Sequence, residues 1–434
     1  MLNQLKSGKL NGATTFKYSG NLIELPDELY TIADTLEVLD LSGNKLSNLP
    51  DDFTRFKKLK IVFFSDNLFT EFPEVLGKCS QLEMIGFKAN KINTIEENTI
   101  PINCRWLILT NNQISKLPNS IGNCSKLQKV MLAGNKLIFL PDAMSACKNI
   151  ELLRISANEL NKIPDWLFSL PRLSWLALAE NPCSKMLKAK YDLTKISWGE
   201  IKLNEKLGEG ASGIISKAKL KEKEVAVKIF KDGITSDGLP ETEMQACVVA
   251  GKHSNLTKVL GIIENHIEKR NGLVLELIPP EYRNLGNPPS FETCTRDTFD
   301  ENIRFTISEI LQISLGIASA MVHLHNNGIM HGDLYAHNIL INKKANPLLG
   351  DFGAATIYDI NSPFAINYEK TDVRAFGCLL EDLLKLSFDK NKHTQLLNEL
   401  EILKTNCLDS ESKKRPTFSS IYNLLNSLIT ISSK

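Results

Sequence analysis

Eight asparagines recur at near-constant intervals through the first half of the chain: Asn21, Asn44, Asn67, Asn90, Asn112, Asn135, Asn158 and Asn181, spaced by 23 residues six times and by 22 once. Around them runs the pattern L-x-x-L-x-L-x-x-N-x-L-x-x-L-P, clearest at Leu36, Leu39, Leu41, Asn44, Leu46, Leu49 and Pro50, and again from Leu127 to Pro141. The local spacing of two describes a short strand that turns its apolar residues one way. The asparagine amide that follows can satisfy backbone groups in a buried turn, and proline resets the chain. A unit this short cannot bury its own apolar face, so neighbouring units must stack. Amphipathic helices do not account for the pattern, because the apolar period is two and restarts at every Asn and Pro.

The unit resembles the short leucine-rich repeat. That resemblance implies a solenoid, a curved horseshoe of parallel sheet, over residues 1–190 with about eight repeats. In the first unit Asn21 is followed by Ile23, Leu25 and Pro26, one residue short of the standard turn, so it reads as an irregular cap. Cys79, Cys124 and Cys147 precede the first apolar residue of their units and read as small buried positions on the convex side. The strand positions expected on the concave face are unusually apolar: Ile61, Phe63, Met84, Trp106, Ile108, Met131, Leu152 and Trp175. This stripe is expected to hold a protein substrate or partner, or a second copy of the chain in a homodimer. Packing against the chain's own second half is the alternative.

At 434 residues the chain is longer than one core usually organises. Its 51 basic and 50 acidic residues leave a formal charge of +1, which gives no basis for nucleic acid or an anionic membrane as the main partner. Nine cysteines, none closely paired, point to thiols in a reducing compartment. The first ten residues carry Lys6 and Lys9 without an apolar core, and no run of eighteen apolar residues occurs. The expectation is a protein without a membrane span that stays in the cytoplasm or leaves it by a signal not visible here. The repeat stops at Pro182 and Cys183, and 184–195 is polar and basic. The boundary is placed at 190–196, with a second domain over 197–434.

That second domain opens with strand-like alternation from Ile201, then Gly208-Glu209-Gly210-Ala211-Ser212-Gly213, with Lys228 fifteen residues beyond Gly213 in Val225-Ala226-Val227-Lys228. Glycines in this spacing let a backbone approach phosphates, but alone they are a weak signal. A lysine within an apolar strand needs a carboxylate partner. The helical stretch from Pro240 to Lys252 offers Glu241 and Glu243. His331-Gly332-Asp333-Leu334-Tyr335-Ala336-His337-Asn338 and Gly350-Asp351-Phe352-Gly353 then supply hard oxygen ligands of the kind magnesium takes.

Taken together and in this order, these segments resemble the protein kinases over residues 198–430, giving a two-lobed α+β domain behind the solenoid. The whole arrangement is similar to the leucine-rich-repeat protein kinases of bacteria. The resemblance implies ATP and Mg²⁺ as cofactors and Asp333, Lys228, Glu243, Asn338 and Asp351 as catalytic residues. Of these, Asn338 and Asp351 hold the metal. Nucleotide is implied to meet Gly208, Gly210, Gly213, Ile215, Ala226, Lys228 and Leu340, with the backbone of Glu276 and Ile278 on adenine. Asp372 is implied to brace the catalytic loop, and Arg415 belongs to an R-P-T element. The function implied is transfer of a phosphoryl group to a protein serine or threonine.

The sequence departs from that family in four ways. Gly332 stands where many kinases carry an arginine that reads a phosphorylated activation loop. Tyr335 replaces a lysine, with His337 two positions on as another possible cation. Only 21 residues separate Asp351 from Asp372, without an A-P-E element, and Arg415 therefore lacks its usual glutamate. These losses keep two alternatives open: a small-molecule kinase of the aminoglycoside or choline type, and a pseudokinase scaffold that binds nucleotide without transferring phosphate.

Overall fold

In the computed structural model, residues 2–184 and 194–432 are described. The expected linker at 184–195 therefore falls mostly outside the described residues. The chain forms two compact units, one of residues 1–170 with 181–183, the other of 171–180 with 184–434.

The first unit carries the strands β1 (Thr15–Lys17), β2 (Val38–Asp40), β3 (Ile61–Phe63), β4 (Met84–Gly86), β5 (Trp106–Ile108), β6 (Lys129–Met131) and β7 (Leu152–Arg154). They pair in parallel and in chain order, each residue opposite its counterpart one repeat on, as in Leu39 against Val62 and Ile85 against Leu107. The eighth strand of the series, β8 (Trp175–Ala177), lies in the segment assigned to the second unit. The middle residue of every strand from β1 to β7 is buried: Phe16, Leu39, Val62, Ile85, Leu107, Val130 and Leu153. On the other side of the coil, short 3-10 turns such as Asp51–Arg55, Glu74–Lys78 and Asp142–Ala146 each follow a proline, whose fixed φ presets the turn.

The asparagines form a ladder between repeats. The Asn135 amide donates to Leu109 O and Leu132 O, both at 2.9 Å, and its oxygen accepts from Ile114 N at 3.0 Å. The same three bonds recur at Asn67, Asn90, Asn112 and Asn158. Asn21 is exposed, with φ at +64°, and sits outside the ladder, as a capping unit should. Cys79, Cys124 and Cys147 close the 3-10 turns, and burial pushes the Cys124 thiol up to about 12 and the Cys147 thiol to about 11. At such values Cys124 and Cys147 stay protonated and inert, whereas Cys79 is only half-buried, not the buried position expected, with its thiol raised by the same cause.

The second unit has a six-stranded sheet in the order β10-β11-β12-β14-β13-β9. Its strands are β9 (Lys195–Ser197), β10 (Ile201–Glu209), β11 (Gly213–Leu220), β12 (Lys223–Phe230), β13 (Val259–Glu264) and β14 (Gly272–Glu276). The sheet thus begins at Lys195, two residues ahead of the expected start, because β9 runs parallel to β13 along its edge. The helices that matter below are α2 (Pro240–Ala250), α3 (Ile307–Asn326) and α4 (Ala365–Lys385). Thr306 and Glu309 cap the start of α3 reciprocally. By length and composition α3 is apolar enough to cross a bilayer, yet Ile310, Ile313, Ile317 and Leu324 are buried inside this unit, as in a core helix.

Candidate active site

Antiparallel pairing sets Lys228 on β12 opposite Ile215 on β11 and Leu273 on β14, so its side chain leaves the sheet at a fixed point. Helix α2, started by Pro240 in its first turn, brings Glu243 to it, and the two side chains form an ion pair. Burial would strip the proton from the Lys228 ammonium, but the Glu243 and Asp351 carboxylates outweigh it and hold its pKa above the usual lysine value.

The loop from His331 to Asn338 is held from below by Asp372 on α4. Its carboxylate accepts the backbone N–H of His331 at 2.8 Å and of Gly332 at 3.0 Å. His331 bonds to Gly350 O at 3.1 Å and its ring lies tilted against Phe352, tying this loop to the segment that bears Asp351. Within the loop the Asn338 amide nitrogen donates to Asp333 O at 2.9 Å and Asp333 Oδ2 at 2.7 Å. Those bonds use its nitrogen and leave its oxygen for a cation. Asp351, at φ +53°, accepts from Gly353 N at 3.1 Å.

A cavity of about 360 Å³ joins these parts. Ile215, Ala226, Lys228, Glu276, Ile278 and Leu340 line it, together with Glu243, Asn338 and Asp351. Gly208, Gly210 and Gly213 do not line it; their loop contributes Leu207 instead. Gly208 and Gly210 border open space where a side chain would stand, while the Gly210 N–H is given to Gly213 O at 2.9 Å and its carbonyl accepts from Lys231 Nζ at 3.1 Å. The Glu276 N–H is already given to Lys258 O at 2.9 Å, so only its carbonyl is left to meet a base. His337 and Phe352 also line the cavity, along with Leu275 and Leu348. Apolar residues at strand ends carry no motif, and their role is visible only once the sheet is assembled. A larger groove, about 740 Å³, lies around Leu2, Asn21 and Asn48 in the first unit and contains none of the residues of the second unit's motifs.

The donor set fits magnesium. Among the described residues no three His, Cys, Asp or Glu cluster as a closed metal cage. Asn338 and Asp351 instead both line the cavity with hard oxygens, and a protein that shares magnesium with a nucleotide commonly supplies only one or two such ligands.

Tyr335, at the position of the missing lysine, is buried and stacks on Trp175, the rings 4.3 Å apart and tilted by 7°. His337 pairs with Asp297 at 2.7 Å. Arg415 takes carbonyls in place of a glutamate: Asp409 O at 2.8 Å, Lys370 O at 3.0 Å and Pro171 O at 3.2 Å. Of the apolar stripe on the repeats, Ile61, Phe63, Trp106 and Ile108 are half-buried, whereas Met84, Met131 and Leu152 are buried. Trp175 does not belong with that stripe: it is 1% exposed, and its partners lie in the second unit.

Comparison with known proteins agrees with this geometry. The model of the protein kinase domain matches residues 201–373, and leucine-rich-repeat models match 35–56 and 125–182. A probable serine/threonine-protein kinase of Dictyostelium discoideum is 27% identical over 249 residues, 53% of this chain and 14% of that protein. A receptor-like serine/threonine-protein kinase of Arabidopsis thaliana is 30% identical over 255 residues, 49% of this chain and 29% of that protein. Fibroblast growth factor receptor 1 of Xenopus laevis is 26% identical over 290 residues, 53% of this chain and 35% of the receptor. The chain thus spans little more than a third of these relatives at most. Motif order, cavity and family models converge on one statement: this chain carries leucine-rich repeats followed by a protein kinase domain.

Proposed function

We propose that the chain is an ATP-dependent protein kinase acting on serine or threonine hydroxyls. The observation that carries this reading is the convergence of Asn338, Asp351 and the Lys228–Glu243 pair on one cavity, with Asp333 bonded to Asn338 beside it. Bound MgATP supplies the transferable phosphoryl group, and the metal, held by Asn338 and Asp351, offsets its charge. The protein's own part is positioning and charge. Lys228, fixed by Glu243, meets the phosphates. Asp333 orients the acceptor hydroxyl and takes its proton as the new oxygen–phosphorus bond forms and the bond to the leaving phosphate breaks. Asn338 keeps the Asp333 carboxylate aimed.

The half-buried stripe of Ile61, Phe63, Trp106 and Ile108 is proposed to contact a protein substrate or partner. The test of the kinase reading is incubation with labelled ATP and Mg²⁺ and a generic protein acceptor, beside Asp333→Ala and Lys228→Met. Label on protein from the native chain, absent from both variants, is expected. Nucleotide binding without transfer would overturn it in favour of a scaffold. The short segment between Asp351 and Asp372 favours small-molecule phosphotransfer as the second reading, and label on an amino sugar or choline instead of protein would establish it.

A further inference from the structure

Residues 171–180 belong to the second unit, and they hold the catalytic loop on both sides of Asp333. On one side the Trp175 indole N–H donates to Leu334 O at 3.1 Å while its ring covers Tyr335. On the other side the Leu176 carbonyl presses against Gly332: a Cβ built there would lie 2.3 Å from that oxygen, and the backbone has φ +69°. Both facts require glycine, and they explain why no arginine stands before Asp333. The same run reaches further. Leu178 N donates to Thr356 Oγ1 at 3.4 Å, and Thr242 on α2 donates to Glu180 Oε1 at 3.1 Å. Its beginning is anchored where Arg374 bonds Ser174 Oγ at 2.6 Å and Pro171 O at 3.0 Å, with Arg415 also on Pro171 O.

We propose that Trp175 is a positioning residue for phosphotransfer, clamping the 331–338 loop at Leu334 and Tyr335 as Asp372 clamps it at His331 and Gly332. In this way residues 171–180 do the bracing that the short segment after Asp351 cannot. The proposal rests on the kinase reading above and adds to it a residue outside the family's motifs. Burial obliges the Trp175 indole N–H to find an acceptor, and the one it takes is the loop carbonyl next to Asp333. Displacement of a catalytic group by about 1 Å can cost about 100-fold in rate.

The test uses the full chain with Trp175→Ala and Trp175→Phe, reading kcat, KM for ATP, nucleotide affinity, and amide hydrogen exchange over 331–338. In Trp175→Ala, kcat is expected to fall about 100-fold with nucleotide affinity unchanged, and the Gly332 and Asp333 amides to exchange at least about tenfold faster. Trp175→Phe keeps a ring over Tyr335 but loses the donor to Leu334 O, so it should recover only part of both. Unchanged kcat and exchange would overturn the proposal, as would a raised kcat, which would mean restraint rather than positioning. Parallel loss of kcat and nucleotide affinity would make Trp175 merely structural and overturn it too. If the native chain transfers no phosphate, the kinase reading fails, and exchange decides alone: faster loop exchange in Trp175→Ala supports the clamp, and unchanged exchange overturns it.

Discussion

The imidazole of His337 lies in the field of three carboxylates, Asp297 in contact and Asp333 and Asp351 farther off, with Tyr335 stacked beside it. Burial opposes its charged form, but the bond to Asp297, aided by the other two acids, raises its pKa above the ordinary histidine value. A raised value fixes the sign of the pH response. Below the unfolded pKa of about 6.5 both states are charged and the pair's stabilisation is complete; it is lost as pH climbs through the higher folded value. Phosphotransfer is expected to fall over that same window if the imidazolium stands in for the missing lysine charge. His337→Gln should be slower at pH 6 and should lack this alkaline decline, as a kcat profile from pH 6 to pH 9 would show. A decline identical in native protein and variant would assign it to another group. At this scale the sequence was most readable where few residue types can do the work. Lys228, Asp333, Asn338 and Asp351 carry charge or hard oxygens at fixed spacing, and the structure brings them to one place. Trp175 was misplaced because a strand position in a repeat looks the same whatever covers it.

An element of this protein is seldom independent of the next, and the asparagine ladder shows why. Each amide serves two repeats at once, so a single truncation leaves buried groups without partners in both. Asn135→Ala would expose Leu109 O, Leu132 O and Ile114 N to that loss. At about 1–3 kcal/mol for a buried group left unsatisfied, a destabilisation of about 3 kcal/mol is expected, read as a lower urea midpoint without a change in slope. Asn21→Gly, outside the ladder and free to keep the φ of +64°, should change little. The strand and turn of each repeat were legible because apolar spacing, Asn and Pro coincide. Strand β9 was not, since three residues at a sheet edge leave no periodic trace. The bracing by 171–180 was hidden for a related reason: nothing in a short activation segment says which other stretch of chain takes its place.

For the whole molecule, nucleotide should act on one unit alone. MgATP at one hundred times its dissociation constant is expected to stabilise the second unit by about 2.7 kcal/mol. Amide exchange in β12 should then slow about a hundredfold, with β5 in the first unit unaffected, and Lys228→Met should weaken the response. No slowing in β12 would count against binding in the cavity under the Gly208 loop. A different consequence follows from the ladder. Its bonds repeat by translation, reaching from Asn135 to Leu109 and from Asn158 to Leu132 over the same 26 residues. An inserted copy of one complete unit would therefore arrive with its own amide and find a carbonyl waiting, whereas half a unit would strand both. Such an array is expected to lengthen or shorten by whole steps, which makes repeat number the dimension along which it is free to vary.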